Sequence, residues 1–147
     1  MSATYALPQT SHGAFTLQNV LRFKLAVTVA IWAGPMLFLP KSVFALLGFP
    51  IPEPFLFVRL LGAAYLALCV GYGSGVVELS RGRSAAGAVW MGVVSNGSAA
   101  LLVAMAAMRG TFADWPGLAK AYMAVSGVLA AALAVALFLR RHDAPDI

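Results

Sequence analysis

One asparagine lies in the middle of a long apolar run, with a serine on either side of it. Asn96 is near the midpoint of Ala85–Met108, and its neighbours are Ser95 and Ser98. An amide at the centre of a bilayer needs a hydrogen-bond partner on another helix, and such bonds contribute about 0.6–2 kcal/mol. The amide predicts a packing contact between helices or, as the alternative, a polar path for a substrate or a proton.

Small residues share the helix face of this asparagine. Gly92 and Ala100 are four residues before and after Asn96, a spacing that places all three on one face. Gly71 and Gly75 have the same spacing in the preceding apolar run. Because small residues four apart let membrane helices approach closely, we expect these positions to form packing seams.

Those two glycines belong to the stretch CVGYGSG, which contains the Val-Gly-Tyr-Gly core of a potassium-channel selectivity filter. Such a filter is a loop of carbonyls with a threonine before the valine. Here Cys69 occupies the threonine position, and the run Phe55–Val77 is apolar throughout. The stretch therefore predicts a spanning helix and not a pore loop.

Arg59 is an ionisable residue just inside an apolar run. It follows Pro54 by five residues, which is about 7–8 Å along a helix. Charged residues in a span often mark functional sites, so a ligand contact or a relay is one interpretation. In the other, Arg59 snorkels to the nearby surface and pairs with Glu53 or a lipid headgroup. Lys120, at the start of the last run, allows the same two interpretations.

The runs that carry these residues indicate an integral membrane protein. The chain is 61% hydrophobic and only 10% charged, whereas a soluble domain has about 25% charged residues. Crossing the hydrocarbon core takes about 20 apolar residues in a helix, which satisfies its own backbone groups. Four runs meet this length: Val20–Leu39, Phe55–Val77, Ala85–Met108 and Leu118–Leu139.

The connections complete the predicted architecture. After the first run, KSVFALLGF predicts a short helix at the membrane interface, and PIPEP predicts an extended elbow. The fold class is therefore an all-α integral membrane four-helix bundle with a short interfacial helix between helices 1 and 2. Residues 1–15 are expected to form a flexible tail, 16–140 a single transmembrane domain and 141–147 a C-terminal tail.

Helix 1 has two features that interrupt its apolar pattern. Arg22 and Lys24 lie near its start, and both side chains are expected to snorkel to the headgroups. Gly34-Pro35 near its far end is expected to kink it.

The ten basic residues are divided unequally between the two ends of the predicted bundle. Six lie at the end that holds both termini: Arg22, Lys24, Arg81, Arg83, Arg140 and Arg141. Four lie at the other end: Lys41, Arg59, Arg109 and Lys120. By the positive-inside rule, this predicts cytoplasmic termini in a bacterial-type inner membrane. The scatter over several loops argues against a nucleic-acid partner.

Histidine, aspartate and glutamate are absent from the predicted spans, and no nucleophile there has a base beside it. His12 and His142 are in the tails, no Asp or Glu lies at mid-membrane depth, and Cys69 has no second cysteine. We therefore expect no catalytic residues, metal site or cofactor, and no enzyme activity.

The segment LPKSVFALLGFPIPEPFLFVRLLGAAYLALCVGYG resembles the start of small four-helix bacterial membrane families of the DoxX-like kind. The shared features are a first helix that ends at proline, an LLG turn, a Pro-rich elbow and RLLGA at the start of the second helix. They cover about a quarter of the chain. Some members of such families are described as partners of membrane redox systems, and the resemblance assigns no catalytic residue.

The predicted function is that of a non-catalytic accessory or assembly subunit. Its expected partners are membrane lipids and a larger membrane complex or further copies of itself. The alternative is a small oligomeric carrier or channel that uses Asn96 and Arg59.

Overall fold

The computed structural model describes residues 16–143, and over this range the chain is an all-α four-helix bundle. All four predicted spans are present as helices that are long and apolar enough to cross a membrane. The long helices are α1 (Leu17–Phe38), α3 (Leu56–Ser80), α4 (Ala86–Met108) and α5 (Gly117–Leu139), and the short helix α2 is Lys41–Leu46. The predicted tail 1–15 lies outside the described residues, as do residues 144–147.

The pattern of backbone hydrogen bonds changes in α1 just before its proline. The helix is π-helical over Thr28–Ala33, and the N–H of Gly34 bonds a carbonyl five residues back. Pro35 has no N–H, so the carbonyl of Ile31 lacks its helical partner. The hydroxyl of Tyr122 on α5 donates to this carbonyl at 2.7 Å. A π-helical turn, a known cause of helix bending, thus directly precedes the predicted kink site at Gly34-Pro35. The Tyr122 bond ties this part of α1 to α5.

The core lies in the half of the bundle that holds the start of α1 and the end of α5, called here the terminal half. Leu21, Tyr72, Val89 and Leu137 are completely or almost completely buried there. Close approach depends on glycine: a Cβ atom on Gly92 would overlap the side chain of Leu137. In this half, α4 therefore lies so close to α5 that only glycine fits at position 92.

The filter-like stretch lies inside α3, which is helical over all of its 25 residues. Cys69, Tyr72 and Gly75 are buried within the bundle, and a Cβ atom on Gly75 would overlap that of Ala88 on α4. A re-entrant pore loop is excluded, and the glycine serves helix packing.

The opposite end, called here the elbow end, is held together mainly by aromatic rings. Gly48 ends α2 with φ +82°, a left-handed conformation that favours glycine. The ring of Phe49 then packs edge-on against Trp115 and Tyr122, with centroids 6.2 and 5.2 Å apart. These contacts hold the chain just before the proline elbow against the start of α5.

Candidate functional site

A buried lysine lies between α1, α3 and α4. Lys24 is only 3% exposed. Its ammonium group donates to Oδ1 of Asn96 at 2.7 Å and to Oγ1 of Thr28 at 3.5 Å. The same nitrogen is 4.7 Å from the centre of the Tyr72 ring. An amide, a hydroxyl and an aromatic ring thus surround a cation inside the bundle.

The expectation that Lys24 snorkels to the headgroups is wrong. It lies three residues after Leu21 and four before Thr28, both of which are buried, so it shares their helix face. Arg22, two residues earlier, is on the exposed side. The sequence signal was the spacing of Leu17, Leu21, Lys24 and Thr28, which is the heptad spacing of one helix face.

Asn96 faces the bundle interior and is 5% exposed. Its Oδ1 accepts the bond from Lys24 of α1, and its Nδ2 donates to the carbonyl of Gly92 at 2.6 Å. One side chain therefore links two helices and fixes its own orientation. Sequence reasoning found the asparagine and missed its partner.

A second polar pair lies beside the first. The hydroxyl groups of Tyr72 and Ser95 are 2.8 Å apart, which joins α3 to α4. Ser98 is exposed and donates to the carbonyls of Val94 and Ser95 in its own helix. Together the Lys24–Asn96 and Tyr72–Ser95 pairs form a polar layer across the bundle.

Between this polar layer and the elbow lies a cavity of about 530 Å³. Ligand pockets are typically about 300–1,000 Å³, so the cavity is large enough for a small molecule. All four long helices and the elbow line it, and most of the lining is apolar. Its polar lining residues are Lys24, Tyr65, Ser95, Asn96, Ser98 and Ser126.

The cavity opens between α3 and α4. Leu61 and Ala64 of α3 and Ser98 of α4 line it and are nevertheless exposed, and so are Pro50 and Pro52 at the elbow. Contacts bridge the other three helix pairs: Arg59 of α3 bonds α1, Tyr122 of α5 bonds α1, and Gly127 of α5 faces Val103 of α4. In a membrane, the open side would face the acyl chains.

Arg59 does not pair with Glu53, and that part of the expectation is wrong. Its guanidinium donates to the carbonyls of Met36 and Leu39, each at 2.8 Å, while Glu53 pairs with Lys41. The last carbonyls of a helix lack helical partners, and the planar guanidinium can reach two of them at once. Arg59 therefore stabilises the end of α1 by bonding its free carbonyls. It is not among the residues that line the cavity.

The remaining candidates lie in packing or surface positions. Gly71 faces Met91, Gly75 faces Ala88, and Ala100 is half-buried. Lys120 is exposed and donates to the carbonyl of Ala113 at 2.6 Å. The structure brings neither Arg59 nor Lys120 to Asn96.

Carboxylates in the described part of the chain lie away from Lys24. Three of them form exposed or half-exposed ion pairs at the ends of the bundle: Glu53 with Lys41, Glu78 with Arg83, and Asp143 with Arg140. The Glu78 hydrogen bond raises the pKa of the Arg83 guanidinium above its usual value. The fourth, Asp114, is an exposed residue of the α4–α5 loop. Within residues 16–143, no group of His, Cys, Asp and Glu could hold a metal ion.

No family model, curated protein or solved structure matches the chain. The DoxX-like resemblance stays a prediction that rests on the residues quoted for it.

Proposed function

We propose that this membrane protein is a non-catalytic binding protein or carrier that takes a lipophilic small molecule from the bilayer. The observation that supports this most is the cavity, which has apolar walls, a polar floor and an opening toward the acyl chains. Ligand sites are typically apolar concavities with a few polar groups that orient the ligand. Lys24 and Asn96 supply those groups here.

This proposal is closest to the carrier alternative, with one change in its residues. Asn96 remains a proposed binding residue, and Lys24, which bonds it, is added. Arg59 is removed from the proposed site because it bonds the end of α1. An accessory subunit is the second candidate, since Gly87 and Gly97 of α4 have no neighbouring atom near the position of an added Cβ. Such open glycines would let another helix approach this face.

Native mass spectrometry of the gently solubilised protein tests the two candidates together. We expect the wild-type chain to retain a small molecule. Ala64→Trp should release it, because Ala64 is an exposed residue at the mouth of the cavity. The matched control is Ala63→Trp, an exposed neighbour outside the cavity lining.

Equal retention by the two tryptophan variants would contradict the binding proposal, and so would a wild-type chain that retains no small molecule. A protein retained in fixed stoichiometry, with no small molecule, would favour the accessory subunit.

We also propose that the protein lies in a bacterial-type inner membrane with both termini in the cytoplasm. The burial of Lys24 removes it from the count at the terminal end, which leaves five basic residues there against four at the elbow end. The positive-inside bias keeps its direction and becomes weaker.

Single cysteines test this threading. In a Cys69→Ala background, a cysteine at Ser84 should react only with a reagent that has entered the cytoplasm. A cysteine at Thr111 should react with an impermeant reagent from outside. Both positions lie in connections between long helices, so the reversed pattern would refute the orientation, and labelling from one side would refute the four-span topology.

A further inference from the structure

We infer that the ligand of this cavity is a single-chain amphiphile with a carboxylate head group, and that Lys24 is its counter-ion. The inference rests on the proposed binding function and names the class of ligand. It starts from a cation that lines the cavity and has only neutral partners among the described residues.

A buried ammonium group is costly to maintain without an anion. Moving an isolated charge out of water has an effective cost of several kcal/mol even after the protein relaxes, and buried charges are therefore usually paired. Asn96, Thr28 and the ring of Tyr72 solvate Lys24 with dipoles and leave its positive charge uncompensated. The carboxylates of residues 16–143 lie in end regions and loops, so an anion from beyond these residues would complete the site, and we infer that a ligand supplies it.

The hydrogen bonding leaves room for such an anion. A lysine ammonium has three hydrogens, and the described bonds to Asn96 and Thr28 use two of them. The third has no described hydrogen-bond acceptor and only the Tyr72 ring nearby, and Lys24 lines the cavity in which a ligand could supply an acceptor. Asn96 is held in place by its bond to the Gly92 carbonyl, so this part of the polar layer is ordered before a ligand binds.

The charge balance favours a monoanionic head group such as a carboxylate over a phosphate monoester. Lys24 is the one basic side chain among the lining residues, so the site offers a single positive charge. Arg22 is exposed, and Arg59 is bonded to the end of α1. A monoanionic head matches this charge, whereas a phosphate dianion would leave one negative charge in an apolar site.

The walls favour a hydrocarbon chain attached to that head. From Lys24 toward the elbow, the lining consists mainly of aliphatic and aromatic residues: Trp32, Met36, Phe44, Phe55, Leu61 and Leu68. Trp32 is eight residues after Lys24, about 12 Å along the helix axis. The middle of a bound chain would therefore lie near the indole ring.

Quenching of Trp32 fluorescence by brominated amphiphiles tests the inference. The chain has three tryptophans, so Trp90→Phe and Trp115→Phe leave Trp32 as the one reporter. A fatty acid with bromines near the middle of its chain is compared with the alcohol of the same chain. We expect the acid to quench at a concentration at least about tenfold lower, which corresponds to about 1.4 kcal/mol.

Substitutions of charged residues then show which residue causes the preference for the acid. Lys24→Met should abolish the preference for the acid. Asn96→Asp should also abolish this preference, because the new carboxylate would itself neutralise Lys24. Aspartate has nearly the shape of asparagine, so the site keeps its form. Arg22→Met is the matched control, since it removes an exposed charge from the same helix, and it should keep the preference.

The outcomes separate the two proposals. Absence of quenching by both amphiphiles would overturn the binding function. Equal quenching by acid and alcohol, or a preference for the acid that survives in Lys24→Met and Asn96→Asp, would overturn the carboxylate inference and leave the binding function standing. Loss of the preference in Arg22→Met as well would assign it to surface charge and would also overturn the inference.

Discussion

Asn96→Leu is expected to destabilise the folded protein by about 2–3 kcal/mol, since a buried charged donor loses an acceptor. This exceeds the roughly 0.6 kcal/mol average of polar contacts between membrane helices. The reason is the partner: without the amide, Lys24 stays buried with only Thr28 and the Tyr72 ring around its ammonium group. The measurement is equilibrium unfolding in mixed detergent and SDS micelles, followed by circular dichroism.

A double-mutant cycle separates the lost bond from the stranded charge. Lys24→Met fills the same space without a charge, so Lys24→Met/Asn96→Leu should be more stable than Asn96→Leu alone. The control is Ser98→Ala, which removes an exposed hydroxyl that bonds only carbonyls of its own helix, and it should change stability by less than about 0.5 kcal/mol. Additive effects of the two core substitutions would show that Lys24 and Asn96 are not coupled.

The four helices could be predicted from the sequence because each apolar run reaches the length of a membrane crossing. The role of Asn96 as a contact between helices followed from the same physics, since an amide in hydrocarbon must find a partner. That partner was missed because Lys24, near the start of the first run, was expected to snorkel to the headgroups. The helix begins at Leu17, and this earlier start turns Lys24 from a flanking residue into an internal one.

The cavity could not be predicted from the pattern of any single helix. It depends on how α3 and α4 separate toward the elbow end, which is decided by contacts between helices. The partner of Arg59 was hidden for a related reason: the carbonyls of Met36 and Leu39 are backbone groups at a helix end. Residue types along the chain do not show which side chain will reach such groups.

Gly92→Leu is expected to destabilise the protein by about 3 kcal/mol, the upper part of the usual range for overpacking. A Cβ atom at this position would overlap Leu137 and lie 3.3 Å from the Tyr72 ring. Both neighbours are completely buried, so neither can move aside without shifting a helix. Displacement of Tyr72 would also disturb its bond to Ser95 and the ring that faces Lys24.

The matched control is Gly87→Leu, five residues earlier on the same helix. Gly87 is exposed, and an added Cβ would have no neighbour within 4 Å. Leucine is also the better helix former by several tenths of a kcal/mol, so this variant should be as stable as wild type or slightly more stable. The same unfolding measurement compares the two. If Gly92→Leu were as stable as Gly87→Leu, close approach of α4 to α3 and α5 would not be what holds the terminal half together, and the polar layer above it would need another support.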